Sequence, residues 1–289
     1  IGIELLEHNS NLSIAQIANK CGVSECYFRR LFQEYSGESP ASFRQRHRIE
    51  RAKQLLLSEE NFTVSEIALG GEWLERKSEA EVFAVVDASR KAGINMLDCF
   101  MSEPNVRSNL GNAIQGEREK WIIQGHLGSA WRNGRYLRVR DVPSIEEAFE
   151  DLLTRFHTDY IDLGMLHLID TEEAFKECFE SEYLEYALRL KKEGKIRHIG
   201  LTAHSLKVAH ECIDSGMYET LQFPFCYLAT EEDRELVRLC AERDVGFIAM
   251  KGLSGGLLNN AEACYAFMQQ HENVVPIWGI QHEWELDQW

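Results

Sequence analysis

TVSEIALGGEWLERKS, residues Thr63 to Ser78, admits two readings that belong to different folds. Its first half follows the helical run RIERAKQLLLSEE and reads as the opening of a second helix-turn-helix. Its second half carries Gly70 and Gly71, then Trp73 and a fresh amphipathic helix, and reads as the first strand and loop of a parallel barrel. A barrel closes only if every strand is present. Downstream, only Val64–Gly71 can supply the first strand, so the stretch is read as a strand.

Beyond that stretch, apolar runs alternate with helical periodicity, the pattern of a parallel sheet. Strands are expected at Ser65–Leu69, Ile94–Asp98, Trp121–Gln124, Tyr160–His167, His198–Thr202, Thr220–Phe225, Gly246–Met250 and Val275–Trp278. The helices between them include Glu79–Ala92, Ile145–Phe156, Tyr183–Glu193, Ser205–Ser215 and Glu231–Arg243. The expected fold is α/β: a (β/α)8 barrel over 64–289 lacking its last helix, preceded by a small all-α helix-turn-helix region over 1–60. In such barrels chemistry sits at the carboxyl ends of the strands. An apolar strip near Trp278, Trp284 and Trp289 is expected to lie open. The chain begins at Ile1 and stops in what reads as the first turns of a helix, so both ends are expected to be cuts.

Composition excludes several classes. Hydrophobic residues make up 44% and Pro occurs only five times, which is a globular composition. No apolar run approaches the roughly 18 residues of a membrane span, and no signal peptide opens the chain, so a cytoplasmic protein without a membrane partner is expected. Eight Cys without a C-x-x-C pair signal neither a metal site nor a disulfide framework. Residues 1–60 carry eight basic and eight acidic side chains, so the whole formal charge of −16 belongs to the remainder. Acid repels nucleic acid, and phosphate contacts would have to come from the stripe Arg44, Arg48 and Arg51, with Arg46 and Lys53 nearby. A solvated helix face is the plainer reading of that stripe.

The amino-terminal region reads as helix, turn, helix. Ser13 caps a helix holding Ile14, Ile17 and Ala18, Gly22 permits the turn, and Ser24 caps a helix whose inward face is Phe28, Leu31 and Phe32. The second helix offers Glu25, Cys26, Arg29, Arg30 and Gln33 outward, a set that fits the base edges of a major groove. The segment SIAQIANKCGVSECYFRRLFQEYSGESPASFRQRHRIERAKQLL resembles the DNA-binding domain of AraC-type transcriptional regulators. That resemblance implies two helix-turn-helix units joined by a long helix, here Ala41–Leu57, and DNA contacts by Ser24, Glu25, Arg29, Arg30, Gln33, Arg44 and Arg48. The second unit starts at Phe62 and then disappears from the text.

The barrel resembles the aldo/keto reductases. GINMLDCF, TDYIDLGMLH, EGKIRHIGLTAHS, LQFPFCY and GFIAMKGLSGGLL carry the likeness. SEPNVRSN and IQGH resemble an iron–sulfur-associated branch whose carboxy-terminal Cys cluster is absent here, so no iron–sulfur cluster is expected in this chain. The family implies hydride transfer from a nicotinamide to a small carbonyl substrate, with a Tyr, Lys, Asp and His around the reacting oxygen. Asp98 and His167 match the Asp and His. Glu103 falls where the Tyr belongs, and His126 where the Lys belongs. Imidazolium, with an ordinary pKa near 6.5, is a stronger acid than a phenol, so His126 or His167 paired with Asp98 or Glu103 could supply the proton. The plainer alternative is a pair of hydrogen-bonded strand-end histidines in an inert barrel, with Glu103 paired to Arg107.

For the cofactor, the resemblance implies carboxamide contacts from Thr202 and Gln222, with His204 beside them, Met250 against the ring, and Gly255, Gly256 and Lys251 at the pyrophosphate. The family's cations for a 2′-phosphate fall at Gly279 and Glu285, so NAD is favoured over NADP. The leading expectation is an oxidoreductase fused to a partial DNA-binding region. The rival is a regulator whose barrel senses a dinucleotide or metabolite, and a third is a joined reading frame without selected function.

Overall fold

The computed structural model describes residues 13–41, 43, 64–65 and 67–287. The chain divides into two compact units, 1–63 and 64–289.

In the first unit, α1 (Ile14–Lys20) and α2 (Glu25–Ser36) flank the turn Cys21-Gly22-Val23. Ser13 and Gln16 form a reciprocal capping box at α1, and the Ser24 hydroxyl accepts from the Tyr27 N–H at α2. Ile17, Ala18, Phe28, Phe32 and Phe43 form a small core, with Phe32 edge-on to Phe43. Leu31, expected inward, is 42% exposed, because the helical spacing that buries Phe28 and Phe32 turns it away. The Arg44–Lys53 stripe, most of the long helix from Ala41, and Phe62 lie outside the described residues.

The second unit is a closed barrel of parallel strands. Its strands are β1 (Ala68–Gly70), β2 (Met96–Cys99), β3 (Ile122–Leu127), β6 (Ile161–Leu166), β7 (Ile196–Thr202), β8 (Thr220–Pro224), β9 (Gly246–Met250) and β10 (Val274–Trp278). An antiparallel hairpin, β4 (Ser129–Arg132) and β5 (Arg135–Arg138), stands outside the cylinder. The outer helices are α3 (Glu79–Lys91), α4 (Pro104–Ala113), α5 (Val142–Arg155), α6 (Glu172–Glu180), α7 (Glu182–Lys192), α8 (Leu206–Ser215), α9 (Glu231–Arg243), α10 (Ala261–Met268) and the four-residue α11 (Glu283–Leu286). All eight expected barrel strands are found, in the expected order.

The stretch with two readings belongs to the barrel. Ala68 and Leu69 pair with Ile277 and Trp278 on one side, and with Met96 and Leu97 on the other. The strand starts later than expected because Ser65 exchanges bonds with Asn95, 2.7 Å from its N–H to the amide oxygen and 3.1 Å from the Asn95 N–H to its hydroxyl, instead of entering the ladder. Val64 packs against the lower interior of the cylinder.

Helix starts follow the side chains that cap them. Ser78 with Glu81 and Thr230 with Asp233 form capping boxes, and Asp141 caps α5 ahead of Pro143. The longer outer helices turn an apolar stripe inward; α5 buries Ile145, Phe149, Leu152 and Leu153 this way. Trp278, expected near an open strip, is instead buried, whereas Trp284 is 59% exposed. Five of the eight cysteines are buried, and all are free thiols. Among the described residues no helix is long and apolar enough to cross a membrane.

Where α4 crosses the end of α5, Gly111 is required by contact. A Cβ there would lie 2.0 Å from the Arg155 carbonyl oxygen and 2.7 Å from the Phe156 Cα, and neither backbone atom can swing aside. Gly111→Ala is therefore expected to destabilise the barrel by about 2 kcal/mol, within the range for overpacking. Thermal unfolding should show a fall in Tm of about 4–8 °C for a domain of this size; an unchanged Tm would mean that the two helices are less closely seated than described.

Candidate active site

Alternation along the strands sorts the barrel interior into two storeys. Ala68, Met96, Ile122, Met165, Ile248 and Ile277 fill the lower one with hydrocarbon. Above it the interior turns polar: Asp98, Gln124 and His167 stand two residues past Met96, Ile122 and Met165, and His126, Thr202 and Gln222 join them, each less than 5% exposed. Buried polar groups at this density persist only when they bond one another, and these do.

The Asp98 Oδ1 accepts from the Gln124 Nε2 at 2.8 Å and lies 2.9 Å from the His126 Nε2, which therefore carries hydrogen. The His126 Nδ1 lies 3.1 Å from the His167 Nδ1. On its other nitrogen, His167 meets the hydroxyl of Tyr136, brought there by β5. The result is a single file, Asp98–His126–His167–Tyr136. Burial holds the His167 pKa well below its ordinary 6.5, reinforced by His126 and by Arg140, Arg138 and His204, so this imidazole is neutral. Burial raises the Tyr136 phenol, with Arg138 opposing the rise.

A neutral His167 leaves two hydrogen patterns. In one, the His167 Nδ1–H donates to His126 while the Tyr136 O–H donates into the His167 Nε2. In the other, His126 is an imidazolium paired with the Asp98 carboxylate, its Nδ1–H donates to His167, and the His167 Nε2–H donates to the Tyr136 oxygen. The second leaves the phenolic hydrogen free for another acceptor. The second holds one hydrogen more than the first, so the gain or loss of one proton, with shifts along the file, converts one into the other.

Phe100 seals the file from the side, with ring centroids 5.4 Å from His126, 5.2 Å from His167 and 5.9 Å from Tyr136. Opposite, the Gln222 Oε1 accepts from the Gln124 Nε2 at 2.7 Å and from the Thr202 hydroxyl at 3.4 Å. Among the described residues the Gln222 Nε2 faces a weak acceptor, the Met250 sulfur at 4.0 Å. His204 is tied by its N–H and its Nδ1 to the Asp170 carboxylate at 2.8 and 3.1 Å. Lys251, Gly255 and Gly256 are exposed in the loop after β9, where Gly255 and Gly256 take φ of 68° and 90°.

Of the residues expected in catalysis, Asp98, His126 and His167 meet in one file, but Glu103 does not join them. Its carboxylate accepts the Val106 N–H at 2.8 Å as the cap of α4, which points it into the helix end. Nor does Glu103 pair with Arg107. That buried guanidinium bonds the Ala148 and Ser129 carbonyls and the Asp151 carboxylate. In the helical unit, Ser24 is engaged as a cap, and Arg29 is held by Glu25 at 2.5 Å. Arg30 lies over the Tyr27 ring, and Gln33 is exposed. Arg44 and Arg48 lie outside the described residues.

Three members of the site went unnoticed in the sequence: Gln124, Phe100 and Tyr136. Gln124 precedes His126 by two along one strand, so alternation alone would have placed it. Tyr136 was signalled by Asn133-Gly134, a two-residue turn with φ of 53° and 74° that closes the hairpin.

With this geometry in view, the chain matches the aldo/keto reductase family over residues 66–284 and a helix-turn-helix domain over 17–71. The two matches overlap at 66–71, inside the stretch that reads both ways. The chain is 29% identical over 207 residues to the uncharacterized oxidoreductase YqkF of Bacillus subtilis, covering 70% of this chain and 65% of that one. To the NADH-specific methylglyoxal reductase of Escherichia coli it is 24% identical over 223 residues, covering 68% and 67%. It spans 57–67% of the length of the curated relatives it matches. Among solved structures, an aldo-keto reductase from Bacillus halodurans in its holo form aligns with a TM-score of 0.68 at 20% identity, covering 78% of this chain and 86% of that one. An aldo/keto reductase from Klebsiella pneumoniae in complex with NADP and acetate aligns with a TM-score of 0.60 at 20% identity, covering 79% and 85%. The chain belongs to the aldo/keto reductase family and carries a helix-turn-helix domain ahead of its barrel.

Proposed function

We propose that the barrel reduces a small carbonyl compound with a nicotinamide cofactor. The observation that carries this reading is the file Asp98–His126–His167, which ends at the strand mouths where a developing alkoxide would need a proton. A nicotinamide is supported by relatives: NADP and NADPH accompany two Klebsiella pneumoniae structures, and an Escherichia coli relative is NADH-specific.

The residues present fit such a group. The Gln222 Nε2 keeps donor capacity for a carboxamide oxygen because its acceptor among the described residues is a thioether, and Thr202 stands next to it. At Gly255 and Gly256 an added Cβ would meet nothing within 4 Å, so the loop backbone lies open to a pyrophosphate, with the Lys251 cation nearby. Met250 and His204 complete the set we assign to the cofactor. NAD is favoured over NADP, because the Glu285 carboxylate, bonded to the Gln281 and His282 N–H groups, presents an acceptor where a 2′-phosphate would need a cation.

When bound in reduced form, this cofactor supplies hydride to the carbonyl carbon. The chain's own part is protonic. Asp98 fixes the His126 ring by accepting its Nε2–H. His126 hands a hydrogen from its Nδ1 to His167, which stays neutral because of burial and so can both accept and donate. Phe100 keeps water off the relay. A positioned acid of this kind is worth roughly 10²–10⁴ in rate.

One observation favours a second reading, the helix-turn-helix itself. In it the exposed side chains of α2 contact DNA and the barrel reports bound dinucleotide. Oxidation of NADH on addition of an aldehyde supports the enzyme; DNA affinity that responds to NADH without turnover supports the sensor.

Two outcomes are expected. In a fluorescence titration with NADH, Gln222→Leu should weaken binding about tenfold, the loss of one hydrogen bond of about 1.4 kcal/mol; unchanged affinity would remove Gln222 from the cofactor site. The second concerns pH. Unfolded His167 takes up a proton near its ordinary pKa of 6.5, whereas the folded residue does so only well below, so its contribution to stability is intact above 6.5 and declines as pH falls beneath it. His167→Gln should flatten the dependence of Tm on pH between about 6.5 and 5, where one group accounts for up to about 1.4 kcal/mol per pH unit. Identical slopes in the two proteins would contradict a neutral, buried imidazole.

A further inference from the structure

The hairpin after β3 is built as a fixture of the barrel. At its root the Val139 N–H bonds the Gly128 carbonyl at 2.9 Å, and the Ser129 hydroxyl donates to the Phe100 carbonyl at 2.9 Å. The buried Arg107 guanidinium reaches the Ser129 carbonyl from below while held by Asp151 at 2.9 Å. The Tyr183 hydroxyl donates to the Leu127 carbonyl and accepts the His167 N–H at 3.0 Å, which locks the hairpin base to the histidine strand. Farther out, Arg132 pairs with Glu147 on α5. Trp131 pairs with Tyr136 across the ladder. What all this anchoring positions is one phenol, half-buried, with its ring 5.9 Å from Phe100 and its hydroxyl on the His167 Nε2.

We infer that Tyr136 is the proton donor of this active site, presented from the β4–β5 hairpin in place of the tyrosine that the β2 loop lacks, and resupplied through His167 and His126 from the Asp98 pair. The inference rests on the carbonyl-reduction reading above. Glu103 is engaged at the end of α4, and Glu72, a carboxyl raised by burial and by the Asp98 charge, lies within electrostatic reach of the site, but it is the Tyr136 hydroxyl that meets the His167 Nε2.

The step balances as follows. A C–H bond forms at the carbonyl carbon with the hydride pair from a reduced nicotinamide, and the carbonyl π pair moves to oxygen. That oxygen takes the Tyr136 phenolic hydrogen as the O–H bond breaks. The Tyr136 oxygen recovers a hydrogen from the His167 Nε2, and the His167 Nδ1 recovers one from the His126 Nδ1. His126 finishes neutral, its Nε2–H still on Asp98. The substrate is reduced to an alcohol and the nicotinamide is oxidised. A proton re-enters from solvent at the half-buried phenol, and the file resets. The His126 Nδ1 and His167 Nδ1, facing each other at 3.1 Å, carry the last of these transfers along the file.

The test uses the full chain, NADH or NADPH, and an aromatic aldehyde. Tyr136→Phe keeps the ring and its packing, and should lower kcat by about 10²-fold or more, with cofactor affinity unchanged and the alkaline limb of the kcat/KM profile lost. Replacing Tyr136 by a ring-fluorinated tyrosine, which keeps the phenol but makes it more acidic, should move that limb to lower pH. Arg135→Ala, exposed on the same hairpin, should leave activity intact. A Tyr136→Phe enzyme within about threefold of the wild-type kcat, or a faster one, overturns the donor assignment and leaves carbonyl reduction standing; the faster result would make the hairpin a gate. A wild-type chain that binds the cofactor but oxidises it with no aldehyde overturns the reduction reading and this assignment together. If Tyr136→Phe fails to fold, the fluorinated enzyme decides: an unmoved alkaline limb refutes the proposal.

Discussion

Leu69 lies between Leu97 of β2 and Trp278 of β10, and through this three-residue strand the cylinder closes. Closure leaves the interior no edge at which a polar group can reach water. Every inward side chain must then be hydrocarbon or be bonded to another inward side chain. The lower storey takes the first course. The upper storey takes the second, and it can do so only because strand register brings Asp98 level with Gln124, and Thr202 level with Gln222. The chemistry of the mouth is thus a by-product of a packing rule, since the network that satisfies buried polar groups is also the network that can move a proton.

Replacing a lysine type by His126 changes what that network can be. An ammonium is a point charge with three donors and no acceptor, so it ends a hydrogen-bonded chain. Imidazole both donates and accepts, and continues the chain into His167. Two adjacent histidines cannot both be charged in such a setting, which is why burial and His126 together hold His167 neutral. A lysine would polarise a phenol by charge; here the phenol on β5 is reached by hydrogen bonds through His167.

The fold was legible because strands and helices here obey simple periods. Each barrel strand shows an apolar run of the length expected for a strand buried on both faces, and the longer helices have their stripes and caps, so eight strands were placed in order. Ends were less certain: β1 begins at Ala68 rather than Ser65 because a serine side chain preferred Asn95 to the ladder, a local competition that periodicity does not register. Asp98 and His167 were legible because they match the family's Asp and His, and His126 because it falls where the family's Lys belongs, each at the end of a strand. Glu103 misled because residue type and offset look alike whether a carboxylate faces a substrate or a helix terminus; the Pro104 that follows it was the cue to a cap. Tyr136 lay outside the pattern altogether, on a hairpin interrupting the β/α alternation. Its turn was spelled out by Asn133-Gly134, but nothing in the spacing of a hairpin says which way its tip leans.

The helical unit obeys a different electrostatic logic from the barrel. Its described recognition helix exposes Arg29 and Arg30, but Arg29 is already paired with Glu25 one turn back, and Arg30 leans over Tyr27. Such an exposed pair is worth little, commonly below about 0.5 kcal/mol within a helix. A phosphate or a guanine edge, offering two acceptors to the same guanidinium, can displace the carboxylate at small cost. The pair therefore orders Arg29 in the free protein without withholding it from a better acceptor. Net acidity elsewhere in the chain works the other way: it disfavours long-range attraction to nucleic acid, so discrimination at this helix would depend on contacts made after encounter. A weakly held guanidinium on an otherwise neutral unit suits a surface that reads base edges more than one that seeks out phosphate.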